Sequence, residues 1–249
     1  MFRPTLKKKR ARRLRAHFKA AEDALAAVRD WDVLIAAADE VALMEGWPFL
    51  ADWRAQRQTA LSAAARWLDG DEAAALRADW ADFVTDPPAK RKGDARLGEA
   101  AAALFSERVE QLREQAADLD PANLESYHAL RRLAVKRVRF LVEFLLPALG
   151  EPGEALLRQL VKLQDRLGYL NDACVGRARL AAWLAQHPDD DSARRYDLSC
   201  QAEIQKHLRK FGKDWEAVQP DALTQKAAAL LTRLQPETEA EALAEGPHD

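Results

Sequence analysis

The chain contains 249 residues, of which 48% are hydrophobic and 31% are charged. This balance excludes an intrinsically disordered chain, and two cysteines are too few for a disulfide framework or a zinc knuckle. No apolar run approaches the ~20 residues of a membrane span, and the basic N-terminal sequence has no apolar segment typical of a secretory signal. We therefore expect a cytoplasmic protein without a membrane partner.

Ala, Leu, Arg and Glu are frequent in this sequence, whereas β-branched residues are scarce. This composition favours helix along most of the chain and disfavours a sheet. The sequence therefore predicts an all-α fold. Glycine and proline clusters separate ten predicted helices, at 5–27, 30–45, 48–68, 72–84, 96–117, 122–146, 153–168, 171–186, 191–213 and 221–233.

The chain is predicted to form one helical domain, residues 1–233, built from two similar halves. Residues 25–33 align with residues 167–175 at an offset of 142, which indicates an internal repeat. A polar linker at about 86–95 separates the halves. The domain thus comprises a first half at 1–85, a second half at 96–216 and an extra helix at 221–233. The acidic tail, 234–249, is expected to be disordered.

The predicted helix 122–146 carries basic side chains on one face. His128, Arg132, Lys136 and Arg139 follow one another at helical spacing, and we call them the basic row. Like charges four residues apart repel one another, so helix stability does not explain the row. A solvated basic surface and a polyanion-binding surface both remain as interpretations. We place the larger apolar residues on the opposite, core side: Leu130, Leu133, Phe140, Leu141 and Phe144.

The N-terminal helix shows the same design. Its basic residues Lys8, Arg12, Arg15 and Lys19 share one face, and we call them the N-terminal stripe. Residues 1–19 hold nine Lys or Arg and no acid, whereas the tail at 234–249 holds five acids and neither Lys nor Arg. Two helices with one design favour an anion-binding site. A weaker basic cluster at 206–213 is diluted by neighbouring acids.

Catalytic and metal-binding patterns are weak in this sequence. The histidines are scattered, and Glu125 and His128 match only one copy of the Glu-x-x-His element that a di-iron bundle needs twice. No phosphate-binding loop or nucleophile elbow is present, so we predict no catalytic residues, no metal site and no cofactor. Asp30 and Asp172 are interpreted as residues at helix starts, either as N-caps or as partners of Arg137, which we place on the apolar face of its helix.

Two segments resemble the second half of the conserved histidine α-helical domain (CHAD) family. They are residues 128–140, His-Ala-Leu-Arg-Arg-Leu-Ala-Val-Lys-Arg-Val-Arg-Phe, and residues 163–172, Leu-Gln-Asp-Arg-Leu-Gly-Tyr-Leu-Asn-Asp. Residues 25–33 are similar to the first-half motif of the family. The resemblance implies two pseudo-symmetric helical bundles around a basic groove that binds inorganic polyphosphate, in some members at polyphosphate granules. It places His128, Arg132, Lys136, Arg139 and Lys162 at or near the groove lining.

The sequence departs from the family pattern in two places. His128 precedes Arg132 by four residues, whereas in the family the equivalent histidine usually precedes the arginine by three. Residues 2–4, Phe-Arg-Pro, resemble the end of the family's first His/Arg helix. The resemblance therefore implies that this first helix of the first repeat is missing here.

From these observations we predict a polyphosphate-binding module without enzymatic activity. The predicted ligand-binding residues are the basic row, Lys162 and the N-terminal stripe. Nucleic acid is a disfavoured partner, because single-strand binding requires exposed aromatic rings among the cations and the tryptophans lie away from the basic faces. The alternative is a basic helical scaffold that binds nucleic acid or an acidic protein partner. A polyphosphate-cleaving enzyme is a further alternative, without an identifiable pair of metal-binding carboxylates.

Overall fold

The computed structural model of the chain describes residues 7–42, 46–86 and 97–232. Within these ranges the structure contains helices and no strands, with a single bridge between Asp120 and Asn123. The all-α prediction is therefore confirmed. The expectations for residues 1–6, most of the linker and the tail at 234–249 concern segments outside the described residues. The helices are α1 (Lys8–Ala42), α2 (Pro48–Leu68), α3 (Asp71–Thr85), α4 (Leu97–Ala117), α5 (Leu124–Ala129), α6 (Lys136–Leu184), α7 (Asp191–Glu216) and α8 (Pro220–Thr232), with a π-helical turn at Leu130–Val135.

Helix α1 is a single element, although the sequence predicts two helices there. No proline or glycine lies between Lys8 and Ala42, and alanine is frequent in the segment, so nothing ends the helix near Arg29. Asp30 therefore lies in the interior of α1. The interpretation of Asp30 as a helix N-cap is wrong. Asp172 is likewise inside α6, at a position where the sequence predicts a helix start.

Helix α6 bends at Gly150, where φ is 61° and ψ is −150°. This conformation is open to glycine and strained for residues with a side chain. Pro147 and Pro152 flank the bend; each lacks an amide hydrogen, so the regular hydrogen bonding of the helix is interrupted here in any case. A Cβ atom on Gly153 would lie 2.5 Å from Cβ of Leu149, so the two stretches of α6 approach closely just after the bend.

The chain divides into two compact units, and the division does not follow the linker alone. Unit 1 contains residues 1–94 and 172–202, and unit 2 contains residues 95–171 and 203–249. The two long helices, α6 and α7, each contribute to both units. The hairpin that they form at 172–202 supplies part of the unit 1 core, which explains why this segment belongs with the first part of the chain.

Unit 1 is built around an aromatic cluster. Phe49 is fully buried and stacks on Tyr196 of α7 at 5.6 Å between ring centroids. Trp53 contacts Phe49 and Tyr196 edge to face, and the ring of Trp47 lies 5.5 Å from that of Phe49. Leu180 of α6 joins the same cluster. The aromatic side chains of α2 thus hold the α6–α7 hairpin to the first two helices.

Unit 2 has an aliphatic core. Helix α4 packs on the π-helical turn and on α8, and Asn123 caps α5 by accepting a hydrogen bond from the Glu125 amide at 3.2 Å. Arg113 of α4 pairs with Asp221 of α8 at 3.0 Å. Fully buried aliphatic side chains of this unit include Leu112, Leu130, Val135, Val138, Leu160, Leu163, Leu167 and Leu223.

Candidate polyanion-binding site

The basic row of unit 2 lies on a continuous helical path through α5, the π-helical turn and the start of α6. Arg132 and Lys136 are exposed, whereas His128 and Arg139 are half-buried. Val135 and Val138 of the same segment are fully buried. The helix therefore presents its cations on the side opposite the core. In the described part of the chain, no acidic side chain pairs with Arg132 or Lys136.

The π-helical turn lies inside the basic row, between His128 and Lys136. Such a turn closes hydrogen bonds from residue i to i+5, so it holds one residue more than a turn of α-helix. The turn thus accommodates an additional residue without moving the cations that follow it to another face. The four-residue spacing from His128 to Arg132 falls at this turn, which gives a structural reason for the departure from the three-residue spacing.

The placement of Phe140 and Phe144 on the core side is wrong. Phe140 is 47% exposed and Phe144 is 54% exposed. Nζ of Lys136 lies 5.5 Å from the centroid of the Phe140 ring, and Cζ of Arg139 lies 4.7 Å from it. Phe140 follows Lys136 by one turn and therefore shares its side of the helix.

Arg131 contacts the second stretch of α6. A Cβ atom built on Gly168 would lie 3.1 Å from Nη2 and 3.4 Å from Cζ of Arg131, so the guanidinium group occupies the space that a larger residue would fill. Sequence reasoning left Arg131 outside the site because its spacing does not match the following cations. Gly168 was the feature of the sequence that could have indicated this contact, because it is a small residue between Leu167 and Tyr169 in a helix of larger side chains.

Three buried polar atoms of unit 2 have no hydrogen-bond partner among the described residues. They are Nδ1 of His128, Nε of Arg139 and Oε1 of Gln164. Two of them belong to the basic row, and Gln164 lies one turn before Gly168, against which Arg131 packs. Buried polar groups normally have a partner. These atoms therefore leave hydrogen-bonding capacity for water or for a ligand.

Arg137 does not lie on the apolar face, contrary to the prediction. Its side chain is exposed, and its Nη1 atom donates a hydrogen bond to Oε1 of Gln111 at 3.3 Å. Arg139 of the basic row pairs with Glu143 one turn later, with Nη2 and Oε2 3.3 Å apart. Arg139 is thus the one member of the row whose guanidinium group is paired with an acid in the described structure.

Lys162 belongs to a charged network around a buried carboxylate. Asp214 of α7 is 5% exposed; Nζ of Lys162 lies 2.8 Å from its Oδ1 atom, and Arg166 donates to its Oδ2 atom. Burial acts to raise the pKa of Asp214, but the hydrogen bonds from Lys162 and Arg166 outweigh burial and keep this pKa below its usual value. At helical spacing, Lys162 and Arg166 lie on one face of α6, whereas Gln164 and Gly168 lie on another.

His207 extends this network. Its Nδ1 atom lies 3.5 Å from Nη1 of Arg166, its Nε2 atom lies 3.2 Å from Oε2 of Glu203, and its ring stacks on Tyr169 at 5.2 Å between centroids. Burial lowers the pKa of His207, and the neighbouring Glu203 only partly opposes this effect. The network was not found from the sequence because its members lie about 40 to 50 positions apart in the chain.

The N-terminal stripe lies in unit 1. All four of its side chains are exposed. Lys19 pairs with Asp23 and with Glu22, at 3.6 Å for the latter, whereas no acidic partner is present for the other three within the described ranges. Two neighbouring cations turn towards α3: Arg10 pairs with Asp86 at 3.0 Å, and Arg13 pairs with Asp79. The stripe and the basic row thus belong to different units.

The described parts of the chain hold no cluster of metal-binding side chains, meaning no group of three His, Cys, Asp or Glu arranged to hold a metal ion. Burial raises the pKa of the Cys200 thiol to about 11, so this thiol is protonated near neutral pH. None of the described helices combines the length and apolar character needed to cross a membrane.

The comparisons with known proteins identify the family of the chain. The family model of the CHAD domain matches residues 1–181, which is more than half of the chain. The matched region includes the complete basic row, the π-helical turn, the N-terminal stripe and Lys162. No curated protein sequence matches the chain.

Proposed function

Because the chain belongs to the CHAD domain family, whose domains in general bind polyphosphate, we propose that it binds inorganic polyphosphate on the basic row of unit 2. The observation that carries this proposal is the exposure of Arg132 and Lys136 without an acidic partner in the described structure. They lie four positions apart in the chain, which is about one turn of helix. A flexible chain of phosphates can contact both of them at once.

The half-buried members of the row support the same ligand. His128 and Arg139 each have a buried nitrogen without a partner in the described ranges, and charge-assisted hydrogen bonds to phosphate oxygens would satisfy them. Arg supplies a fork of donors, whereas Lys supplies a compact charge. We further propose that the N-terminal stripe of unit 1 provides a second contact for long chains.

Lys162 has a different part in this proposal. Its ammonium group is held by Asp214, but its side chain remains 61% exposed, so it contributes positive charge near the surface without being free to reorient. We therefore assign Lys162 a weaker contact with the ligand than Arg132 or Lys136. The proposed activity is binding alone, without hydrolysis of the polyphosphate chain, as is general for domains of this family.

A pair of matched double variants tests the proposal. Arg132→Ala with Lys136→Ala should weaken polyphosphate binding by about tenfold or more, because even one charge-assisted phosphate contact is worth about 1.5–3 kcal/mol. The control is Arg209→Ala with Lys213→Ala on α7, which removes the same two residue types at the same spacing from exposed positions of unit 2. Binding is measured by isothermal titration calorimetry.

The control separates a site from a diffuse field. If the basic row is the site, the α7 double variant should retain most of its affinity. Equal losses in the two double variants would show that general positive charge attracts the ligand, and the proposal would then be wrong. Circular dichroism should show the same helicity for both variants, because all four side chains are exposed.

A further inference from the structure

An exposed aromatic ring, which a polyphosphate ligand does not use, lies beside the basic row. The Phe140 ring is 47% exposed and lies directly beside two cations of the row, Lys136 and Arg139. Phe144, one turn later, is 54% exposed. Polyphosphate has neither an aromatic nor an apolar group, so these rings offer it no complementary surface.

Cations beside an exposed ring match a ligand that carries both phosphates and flat apolar groups. Proteins that bind single-stranded nucleic acid without sequence preference combine positive charges along the backbone with aromatic rings on which bases stack. Phe140 and Phe144 follow one another at a rise of about 6 Å along the helix axis, on the same side as Lys136. Adjacent bases of an extended strand can therefore each meet a ring.

We propose that the face formed by Lys136, Arg139, Phe140 and Phe144 also binds single-stranded nucleic acid, with phosphates at the two cations and a base stacked on Phe140. The bases of a duplex are already stacked on one another and are inaccessible to a ring on a helix surface, which favours a single strand. This ligand class lies beyond the proposed function. The two functions share the cations, whereas the ring serves only the nucleic acid.

The arrangement of the two cations supports this assignment. Both lie within 6 Å of the ring centroid, the range of a cation–π contact. The contact holds the charged groups close to the ring, so that a nucleotide placing its base on the exposed part of Phe140 also brings its phosphate near them. The buried Nε atom of Arg139, which has no partner among the described residues, is a further donor for that phosphate.

The experiment compares two probes of equal length and charge. One is a fluorescently labelled thymidine oligonucleotide of about 16 nucleotides, in the size range of such sites, and the other is a base-free phosphodiester oligomer. Fluorescence anisotropy with the full chain should show that the oligonucleotide binds at least about fivefold more tightly. Phe140→Ala should remove this preference, since stacking on one aromatic side chain is worth about fivefold or more, and Phe140→Tyr should retain it.

Trp80→Ala is the matched control. Trp80 on α3 has the same exposed fraction as Phe140, 47%, but it packs against Phe18 and Phe83 and is followed closely by Asp82. The preference for bases should persist in this variant. Circular dichroism melting curves identify any variant that fails to fold. If Phe140→Ala fails to fold, Phe140→Leu takes its place, because leucine keeps an apolar side chain but cannot stack on a base; retention of the preference in a folded variant without the ring would overturn the inference.

Three further results would overturn the inference. They are equal affinity of the wild-type chain for the two probes, loss of the preference in Trp80→Ala to the same extent as in Phe140→Ala, and binding of a protein partner by this face with no affinity for the oligonucleotide. The polyphosphate proposal is tested separately, because its double variant is measured with a ligand that has no bases. Nucleic-acid binding without polyphosphate binding would leave this inference standing and refute the proposed function.

Discussion

The guanidinium group of Arg131 occupies the space in front of the α-carbon of Gly168, 37 positions later in the chain. The contact joins the π-helical turn to the second stretch of α6 within unit 2. This contact accounts for glycine at position 168. The backbone conformation does not require glycine there, since Gly168 is helical. The absence of a side chain at 168 thus allows the cationic segment to approach α6 closely.

Gly168→Ala should show energetic coupling with Arg131. Alanine is favoured over glycine in a helix by about 0.5–1 kcal/mol, but its Cβ atom would lie 3.1 Å from the Arg131 guanidinium group, which must move. In an Arg131→Ala background the full helix preference should be recovered. A double-mutant cycle from urea unfolding measures this coupling, and strictly additive free energies would contradict the contact.

Polyphosphate chain length should strongly affect affinity. A row of cations gains from a ligand that reaches several of them, so long-chain polyphosphate should bind at least about 100-fold more tightly than orthophosphate, from two additional contacts at about 1.5 kcal/mol each. Added salt should weaken binding of the long chain, because screening reduces interactions between exposed charges. Calorimetry at two salt concentrations checks both expectations. Equal affinities for long-chain polyphosphate and orthophosphate would contradict the prediction that one ligand contacts several cations of the basic row.

Asp214→Asn should reduce the stability of unit 2 and change its pH dependence. The pKa of Asp214 is lower in the folded state, so the carboxylate contributes stability that is complete above its unfolded pKa of about 4 and is lost as the pH falls through the folded pKa. At neutral pH the substitution should cost about 1–3 kcal/mol, because it weakens two charge-assisted hydrogen bonds.

The measurement for Asp214 is the free energy of unfolding at pH 7 and at pH 3. The difference between wild type and Asp214→Asn should be larger at pH 7 than at pH 3, because pH 3 lies below the unfolded pKa of about 4, where the unfolded carboxyl already binds a proton. An equal difference at both pH values would show that the carboxylate charge does not stabilise the fold. Lys162→Ala provides a comparison, since it removes only the more exposed of the two cations.

Substitution by alanine at Gly150 and at Gly212 should change the free energy of unfolding in opposite directions. Gly150 has a φ of 61°, which is strained for alanine, so Gly150→Ala should destabilise the protein by about 1–3 kcal/mol. Gly212 is helical and exposed, with open space where a Cβ atom would lie, so Gly212→Ala should stabilise it by about 0.5–1 kcal/mol. Urea unfolding of both variants measures the two effects. The same sign for both would contradict the bend at Gly150.

The sequence predicted most helices and the exposed face of the basic row, because both follow from local periodicity. It did not predict the π-helical turn, since packing of the helix decides where an additional residue is accommodated. The error at Phe140 came from grouping apolar residues by type, although its one-turn distance from Lys136 already placed it beside that cation. Gly150 and its flanking prolines did predict the break in α6.

The charged network around Asp214 could not be predicted from spacing within one helix. The acid lies on α7, far along the chain from Lys162 and Arg166 on α6, and only the tertiary packing of these helices brings the three together. Sequence spacing reports which side chains share a face of one helix. It does not report which two helices meet.

Unit 1 consists of two separate segments of the chain, so a fragment that ends in the linker does not contain all of it. A single cleavage in the linker would release a fragment with α1, α2 and α3 but without residues 172–202, which this unit includes. That fragment would lack Tyr196, Leu180 and Cys200, and would leave Phe49 and Trp53 with part of their surface open to water. Residues 1–94 alone therefore lack part of the unit 1 core, and we expect this fragment to be less stable than the same residues in the full chain.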